Sequence, residues 1–327
     1  MTTPISGPFK FGDEPPKHLM GWRPDLVEHA NRAVKHVFRS YAPSETVTPK
    51  VPAPIWELTK LVNNGHHLPT FQQQTGDCVP AGLGQAGARL QVAEMATLYH
   101  EELVKLWHVP FLYGISRVQI GGGQIPGPGS TGAWGAAAVK QYGVLFDDDP
   151  GAPPYSGELS DTWGEPPGPP EPFQQLAHDN LVQTAAPIRS IEQLRDALCN
   201  YYPHTIASGQ GFRMKPEERD GYHVFVPSGT WNHQMCLIAW MDEPFPAAYR
   251  LNSWGPDAHG TPLNGEPPGG AWCTAECLEH ELASANTEVF AYSGFNGWPS
   301  AADRGILSAY ADLKEERFHR NEQRHTY

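Results

Sequence analysis

Three stretches limit what this chain can fold into: Gly121–Gly132, Pro150–Pro172 and Gly255–Gly270 are dense in proline and glycine. Proline removes a backbone donor and fixes φ, and glycine is costly to order, so no long helix or strand is expected to run through such segments. The chain carries 33 glycines and 33 prolines in 327 residues, one position in five, against an ordinary share of about 12%. That excess falls short of the roughly 25–30% that marks low-complexity disorder. With 39% hydrophobic residues, the chain reads as a folded protein with many turns.

Between these stretches the hydrophobic period changes along the chain. Leu83, Ala86, Leu90 and Ala93 recur at helical spacing after Cys78–Pro80, and Pro suits a first helical turn. That pattern predicts a helix from Cys78 that extends through Leu98 to Leu106. Further helices are predicted over Pro24–Phe38 and over Ala133–Tyr142, the latter stopped by Gly143. Ser190 with Gln193 three residues on is a capping box for another. Later, Thr205–Ser208, Met235–Trp240, Tyr249–Ser253 and Thr287–Tyr292 read as short strands. Helices first and strands afterwards predict an α+β fold with a helical lobe and a sheet lobe.

Charge and composition exclude several functions. The net charge is -13, which disfavours nucleic acid and anionic lipid as partners. No apolar run approaches the ~18 residues of a membrane span, and the polar, Pro-rich start reads as no signal peptide. Five scattered cysteines do not make a disulfide scaffold. A reducing compartment, cytoplasmic or virion-associated, is the expectation.

Chemistry concentrates in three segments. In Gln72-Gln73-Gln74-Thr75-Gly76-Asp77-Cys78 a cysteine opens a predicted helix, where the dipole and free N–H groups favour a thiolate. Six residues earlier, the Gln72 amide is a donor suited to an oxyanion. In Trp231-Asn232-His233-Gln234 a histidine enters the predicted strand at Met235. In Leu251-Asn252-Ser253-Trp254-Gly255 an asparagine ends another, placed to orient an imidazole with Trp254 shielding the contact. Taken singly, Cys78 is as readily a small buried hydrophobe, His233 a structural imidazole and Asn252 a turn residue.

As an ordered set, these segments resemble the papain-like cysteine peptidases, with Asn252-Ser253-Trp254-Gly255 the most specific block. Gly21-Trp22-Arg23-Pro24-Asp25-Leu26 is similar to the lead-in of bacterial members, Gly129–Gly143 to the glycine-rich cleft segment and following helix. The likeness spans about residues 20–295. It implies a two-lobed fold with the site in a cleft. It divides the chain into a lead-in over 1–60, a body over 61–296 (helical lobe about 61–160, sheet lobe about 180–296) and a charged tail over 297–327. It further implies hydrolysis of a peptide or protein substrate through an acyl-enzyme. Cys78 is then the nucleophile, His233 the base, Asn252 its orienting group and Gln72 an oxyanion donor, with Gly129, Ser130, Asn232 and Trp254 on the substrate. No metal or organic cofactor is called for.

The chain departs from that pattern at Val79, where the family usually has Trp, and after Gly255, where a Trp-Gly-x-x-Gly-Tyr run gives way to a Pro/Gly loop ending at Gly269-Gly270-Ala271-Trp272. A register with Ala81 as the nucleophile position would be inactive; the six-residue Gln72–Cys78 spacing favours Cys78. Two alternatives to an endopeptidase stay open: a catalytically silent scaffold that binds peptides or joins an assembly, and an isopeptidase or cell-wall amidase. Gly127-Pro128-Gly129-Ser130-Thr131-Gly132 matches a dinucleotide fingerprint but lacks a preceding strand; it reads better as a cleft wall. Cys273, Cys277 and His280 share a predicted helical face but lack a fourth zinc ligand. The tail Leu313–Tyr327 reads as a solvated helix, with docking to a larger assembly as the functional alternative.

Overall fold

The computed structural model describes residues 14–42, 54–98, 104–123, 125–301, 303, 304 and 306. The charged tail beyond residue 306, and its docking reading, lie outside the described residues. Helices begin where the sequence supplies caps. A 3-10 turn over Pro24–Leu26 leads into α1 (Val27–Val34), and another over Lys35–Val37 closes it, within the predicted range. The long α3 (Cys78–Leu98) starts at the expected residue, but residues 104–106 are not helical, so the continuation to Leu106 does not hold. Thr131 caps α5 (Gly132–Gln141) by accepting from the Trp134 N–H. Ser190 caps α8 (Ile191–Cys199) by accepting from Gln193, whose own side chain takes the Arg189 N–H rather than that of Ser190.

Other helices carry no periodic signal of comparable length. These are α2 (Ile55–Val62), α4 (Val109–Gly114) with a π-helical turn over Ile115–Ile120, α6 (Gly157–Trp163), α7 (Glu171–Ala177) and α9 (Ala275–Leu282). The Pro150–Pro172 stretch, expected to be a passage between lobes, holds α6. Ser156 accepts from Leu159 N–H and starts that helix despite its prolines and glycines.

The strands are β1 (Thr184–Pro187), β2 (His204–Phe212), β3 (Glu217–Arg219), β4 (Tyr222–Val224), β5 (Pro227–Met241), β6 (Ala247–Leu251), β7 (Gly270–Thr274) and β8 (Glu288–Ser293). They form one sheet in the order β1-β8-β2-β5-β6-β7-β4-β3. Every pairing is antiparallel except β4 with β7. Met235–Trp240, in the second half of β5, is buried throughout, as its unbroken apolar run requires. One apolar core gathers Leu83, Trp107, Phe111, Trp134 and Leu145 among the helices. Another gathers Trp231, Met235, Leu237, Trp240 and Leu278 on the sheet. This is the expected α+β arrangement of helical and sheet lobes.

Two features of the packing place the site. Helix α3 lies close against β5 because Gly82 has no side chain: a Cβ there would stand 3.3 Å from the Met235 backbone. The β5–β6 register pairs Cys236 with Leu251, so Asn252, just past the end of β6, comes beside His233 on the continuing β5. All five cysteines are free thiols. No helix among the described residues is long and apolar enough to cross a membrane.

Candidate active site

Cys78 is the first residue of α3 and is fully buried. The loop before it is held from two sides. On one side, Tyr155 donates to the Asp77 carboxylate at 3.0 Å and Ser160 at 2.8 Å, Thr75 bonds Asp161, and Gln74 accepts from the Gly157 N–H. Burial pushes the Asp77 carboxyl up to about 7, and its two hydroxyl donors pull it back. On the other side, Gln73 accepts from the Ser253 hydroxyl at 2.6 Å. Gln72 pairs with Trp254 in an isolated antiparallel bridge, and Gly255 N–H donates to Phe71 O at 2.9 Å. The three consecutive glutamines thus have three jobs, and the loop joins α3 to the Asn252-Ser253-Trp254-Gly255 segment.

The sheet side is organised around Asn252. Its Oδ1 accepts from the Ser253 backbone N–H at 2.7 Å. A backbone N–H is only a donor, so this bond fixes the amide orientation. Oδ1 then takes the His233 Nε2–H at 2.8 Å, and Nδ2 donates to His259 Nε2 at 2.9 Å. His259 in turn donates its Nδ1–H to Met214 O at 2.8 Å. Both imidazoles are therefore held in defined tautomers, and His233 carries its free lone pair on Nδ1, which has no hydrogen-bond partner among the described residues. The Trp254 ring lies 4.7 Å from the His233 ring, tilted by 32°. His259 comes from the Pro/Gly loop after Gly255, where the sequence departs from the papain-like pattern. A lone His in a loop of Pro and Gly carried no sequence signal for this role.

The N-terminal segment lies in the cleft. Gly21 N–H donates to Cys78 Sγ at 3.2 Å. Ser130 N–H donates to Gly21 O at 2.8 Å, Arg23 N–H to Ser130 O at 2.9 Å, and Trp22 N–H to Asn232 O at 3.1 Å. The segment pairs in parallel with Ser130, and Gln73 holds it further by donating to Leu19 O. Ser130 thus binds the chain's own N-terminal segment through its backbone. The fit depends on Gly21: a Cβ there would stand 1.7 Å from Gly76 O.

Electrostatics follow from this cover. Burial pushes the Cys78 thiol up to about 12, with the Gly21 and Gln234 N–H groups pulling it back. Burial pushes the His233 imidazole down to about 3, against the bond to Asn252. Thiol and imidazole are both neutral in the covered cleft.

Cys273 and Cys277 do come together, but with Glu281 rather than His280: the three ligand atoms lie within 4.8 Å of one another, while His280 is exposed. Cys273 belongs to β7, not to the helix. The cation at this cluster is already present, because Arg250 grips Glu281 with both Nη atoms.

No family model matches the sequence, and no curated protein matches it. Solved structures do. Xylellain, a cysteine protease from Xylella fastidiosa, aligns over 85% of this chain and 96% of its own, with a TM-score of 0.57 and 16% identity. Digestive procathepsin L 3 from the larval midgut of Tenebrio molitor aligns over 82% of this chain and 78% of its own, with a TM-score of 0.52 and 13% identity. The chain therefore has the fold of the papain-like cysteine proteases.

Proposed function

We propose that the chain is a latent cysteine peptidase. The observation that carries the reading is the ordered set Gln72, Cys78, His233 and Asn252 on a papain-like fold, with the Asn252 amide pinned so that the free lone pair of His233 lies on Nδ1. In the uncovered cleft, His233 Nδ1 takes the Cys78 proton and the sulfur attacks the substrate carbonyl carbon. The oxyanion that forms takes hydrogen bonds from the Gln72 amide and the Cys78 backbone N–H. His233 then protonates the leaving amine, leaving a thioester on Cys78. Water adds to the thioester, giving its proton to His233, and the acid and free thiol are released. Cys78→Ala should abolish peptide hydrolysis and adduct formation with an epoxide or vinyl sulfone. Undiminished hydrolysis in that variant would overturn the reading.

The burial of Cys78 beneath Gly21 equally favours a second reading, a peptide-binding scaffold that never opens. The two differ in whether uncovering Cys78 yields a reactive thiol.

His259 supports the reading as a positioning residue. Leaving Asn252 Nδ2 buried and unpaired costs ~1–3 kcal/mol, so His259→Ala should lower kcat about tenfold or more with KM little changed. His259→Gln, whose Oε1 can accept the same bond, should recover much of that loss. Burial holds the His259 imidazole down at about 4, below the ~6.5 of an unfolded histidine. Its contribution to stability is present above pH 6.5 and is lost as pH falls toward 4. Melting temperature should therefore fall less steeply over that range in His259→Gln than in the parent. Equal slopes, or equal kcat in His259→Ala, would refute the role.

A further inference from the structure

Ala81, Gly84, Gln85 and Ala88 share one face of α3. Three of the four are too small to fill the space between the helix, the loop at Phe71 and Trp107. Trp107 rests directly on the helix, because a Cβ on Gly87 would stand 2.2 Å from its Cε2. A cavity of about 220 Å³ is left, lined by Phe71, Ala81, Ala88, Trp107, Val109 and Arg89 among others. An apolar cavity of ~150 Å³ accepts benzene, so this one has room for an aromatic ring and a small group besides. Its wall is fixed by Gln85, whose Oε1 accepts from Phe71 N–H at 3.2 Å and whose Nε2 donates to Asn252 O at 3.1 Å. Gln72 borders the cavity, while Cys78 and His233 do not.

Arg89 is the unusual member of this lining. It is 3% exposed. Among the described residues its guanidinium makes one hydrogen bond, from Nη1 to Gln85 O at 3.1 Å, and no ion pair. Arginine does not shed its proton to escape burial, and a buried charge is ordinarily paired. Arg117 and Arg250, buried to a similar degree, each hold a carboxylate, Glu165 and Glu281 respectively. Arg89 instead faces Cys236, Tyr249 and His67. Burial keeps that thiol and phenol protonated and that imidazole unprotonated, so none of them supplies a counter-charge at pH 7. The one acid in the lining, Asp147, is exposed and makes no ion pair with Arg89.

We propose that this cavity binds a small aromatic carboxylate, its ring against Phe71 and Trp107 and its carboxylate on the Arg89 guanidinium. The apolar walls take the ring out of water, and the carboxylate supplies the counter-charge that the fold withholds. Binding there requires no turnover at Cys78, so the site stands or fails independently of the peptidase reading.

Phenylacetate, phenylacetamide and acetate, titrated into the full-length chain at pH 7 and followed by backbone amide NMR shifts, test this. Phenylacetamide keeps the ring and the shape but not the charge, and acetate keeps the charge but not the ring. Phenylacetate should bind at least about tenfold more tightly than either, one hydrogen bond to a charged group being worth about that factor. The shifts should centre on Phe71 and Trp107. Arg89→Met keeps the length of the side chain and removes a charge that has no partner, so it should fold with a melting temperature at or above that of the parent. It should bind phenylacetate no more tightly than phenylacetamide. Equal affinity of the unaltered chain for these two, shifts that leave Phe71 and Trp107 untouched, or a preference for phenylacetate that survives in Arg89→Met would overturn the proposal. If Arg89→Met fails to fold, the three probes on the unaltered chain decide alone.

Discussion

Gly21→Val should raise the rate at which a small alkylating agent reaches Cys78 by at least ~100-fold. The first added carbon, 1.7 Å from Gly76 O, would meet rigid backbone where real contacts do not occur, so residues around Gly21 must lift. Lifting gives up the bonds to Cys78 Sγ, Ser130 and Asn232, each worth a net ~0.5–1.5 kcal/mol. It also exposes Trp22, an aromatic of the kind that buries ~150–250 Å² at about 25 cal/mol per Å². The ordering entropy of the segment offsets part of this, and ~2.7 kcal/mol of lost hold already corresponds to the stated factor. Circular dichroism and the melting curve should show the rest of the fold unchanged. The covering segment is an obstacle rather than a substrate in this arrangement: the Gly21 carbonyl is bonded to Ser130 N–H, and it is the Gly21 N–H that faces the sulfur. The unaltered chain should therefore stay uncut at Gly21. An alkylation rate unchanged in folded Gly21→Val would mean that the cleft is covered by something other than this segment.

Glu281→Ala should cost about 3–5 kcal/mol of stability. Arg250 and Glu281 form a bidentate pair at 2.6 and 3.0 Å with side chains 0% and 1% exposed. The guanidinium also lies 4.8 Å from the centre of the Phe212 ring, and Glu281 takes a further bond from the Ser208 hydroxyl. The pair ties β6, two residues before Asn252, to α9, and Ser208 pairs with His233 across β2 and β5. Removing the carboxylate leaves a buried guanidinium without its counter-charge, the case in which breaking a buried ion pair is most costly. The effect is read as a lower urea midpoint at unchanged m value. Replacing both partners together, as Arg250→Met with Glu281→Leu, should recover a large part of the loss, because no charge is left stranded. A loss below ~1 kcal/mol in Glu281→Ala would show that water reaches Arg250.

The candidate site was legible where its chemistry is written locally. Gln72, Cys78 and the start of α3 form one continuous segment, and Asn252-Ser253-Trp254-Gly255 another, so spacing and residue type sufficed. Ser190 and Gly143 marked helix ends because capping is a local effect. What escaped is non-local or composition-masked. The hydrogen bond from Trp22 Nε1 to Glu288 Oε2 joins residues 266 apart, and nothing near either announces the other. Gly21 was visible as a lead-in motif, yet its place over Cys78 depends on the meeting of Gly76, Ser130 and Asn232. Helix α6 was hidden by flanking prolines and glycines, and β7 by the glycine pair that opens it. His259 sits in a loop whose composition speaks only of turns; its partner Asn252 reaches it because the loop folds back onto Met214. The Cys273–Cys277 pair was legible as a cluster, but its neighbour is Glu281 because Cys273 lies in a strand and helical spacing does not apply.

A latent peptidase requires that Cys78 be an activated nucleophile once uncovered. Intact-mass and peptide mapping after a brief exposure of folded Gly21→Val to a peptidyl vinyl sulfone reads this directly. The expected result is one adduct, on Cys78 and on none of the other four cysteines, absent from the unaltered chain over the same interval and lost when His233→Ala is added. No adduct at Cys78 in folded Gly21→Val, or labelling that persists without His233, would contradict it.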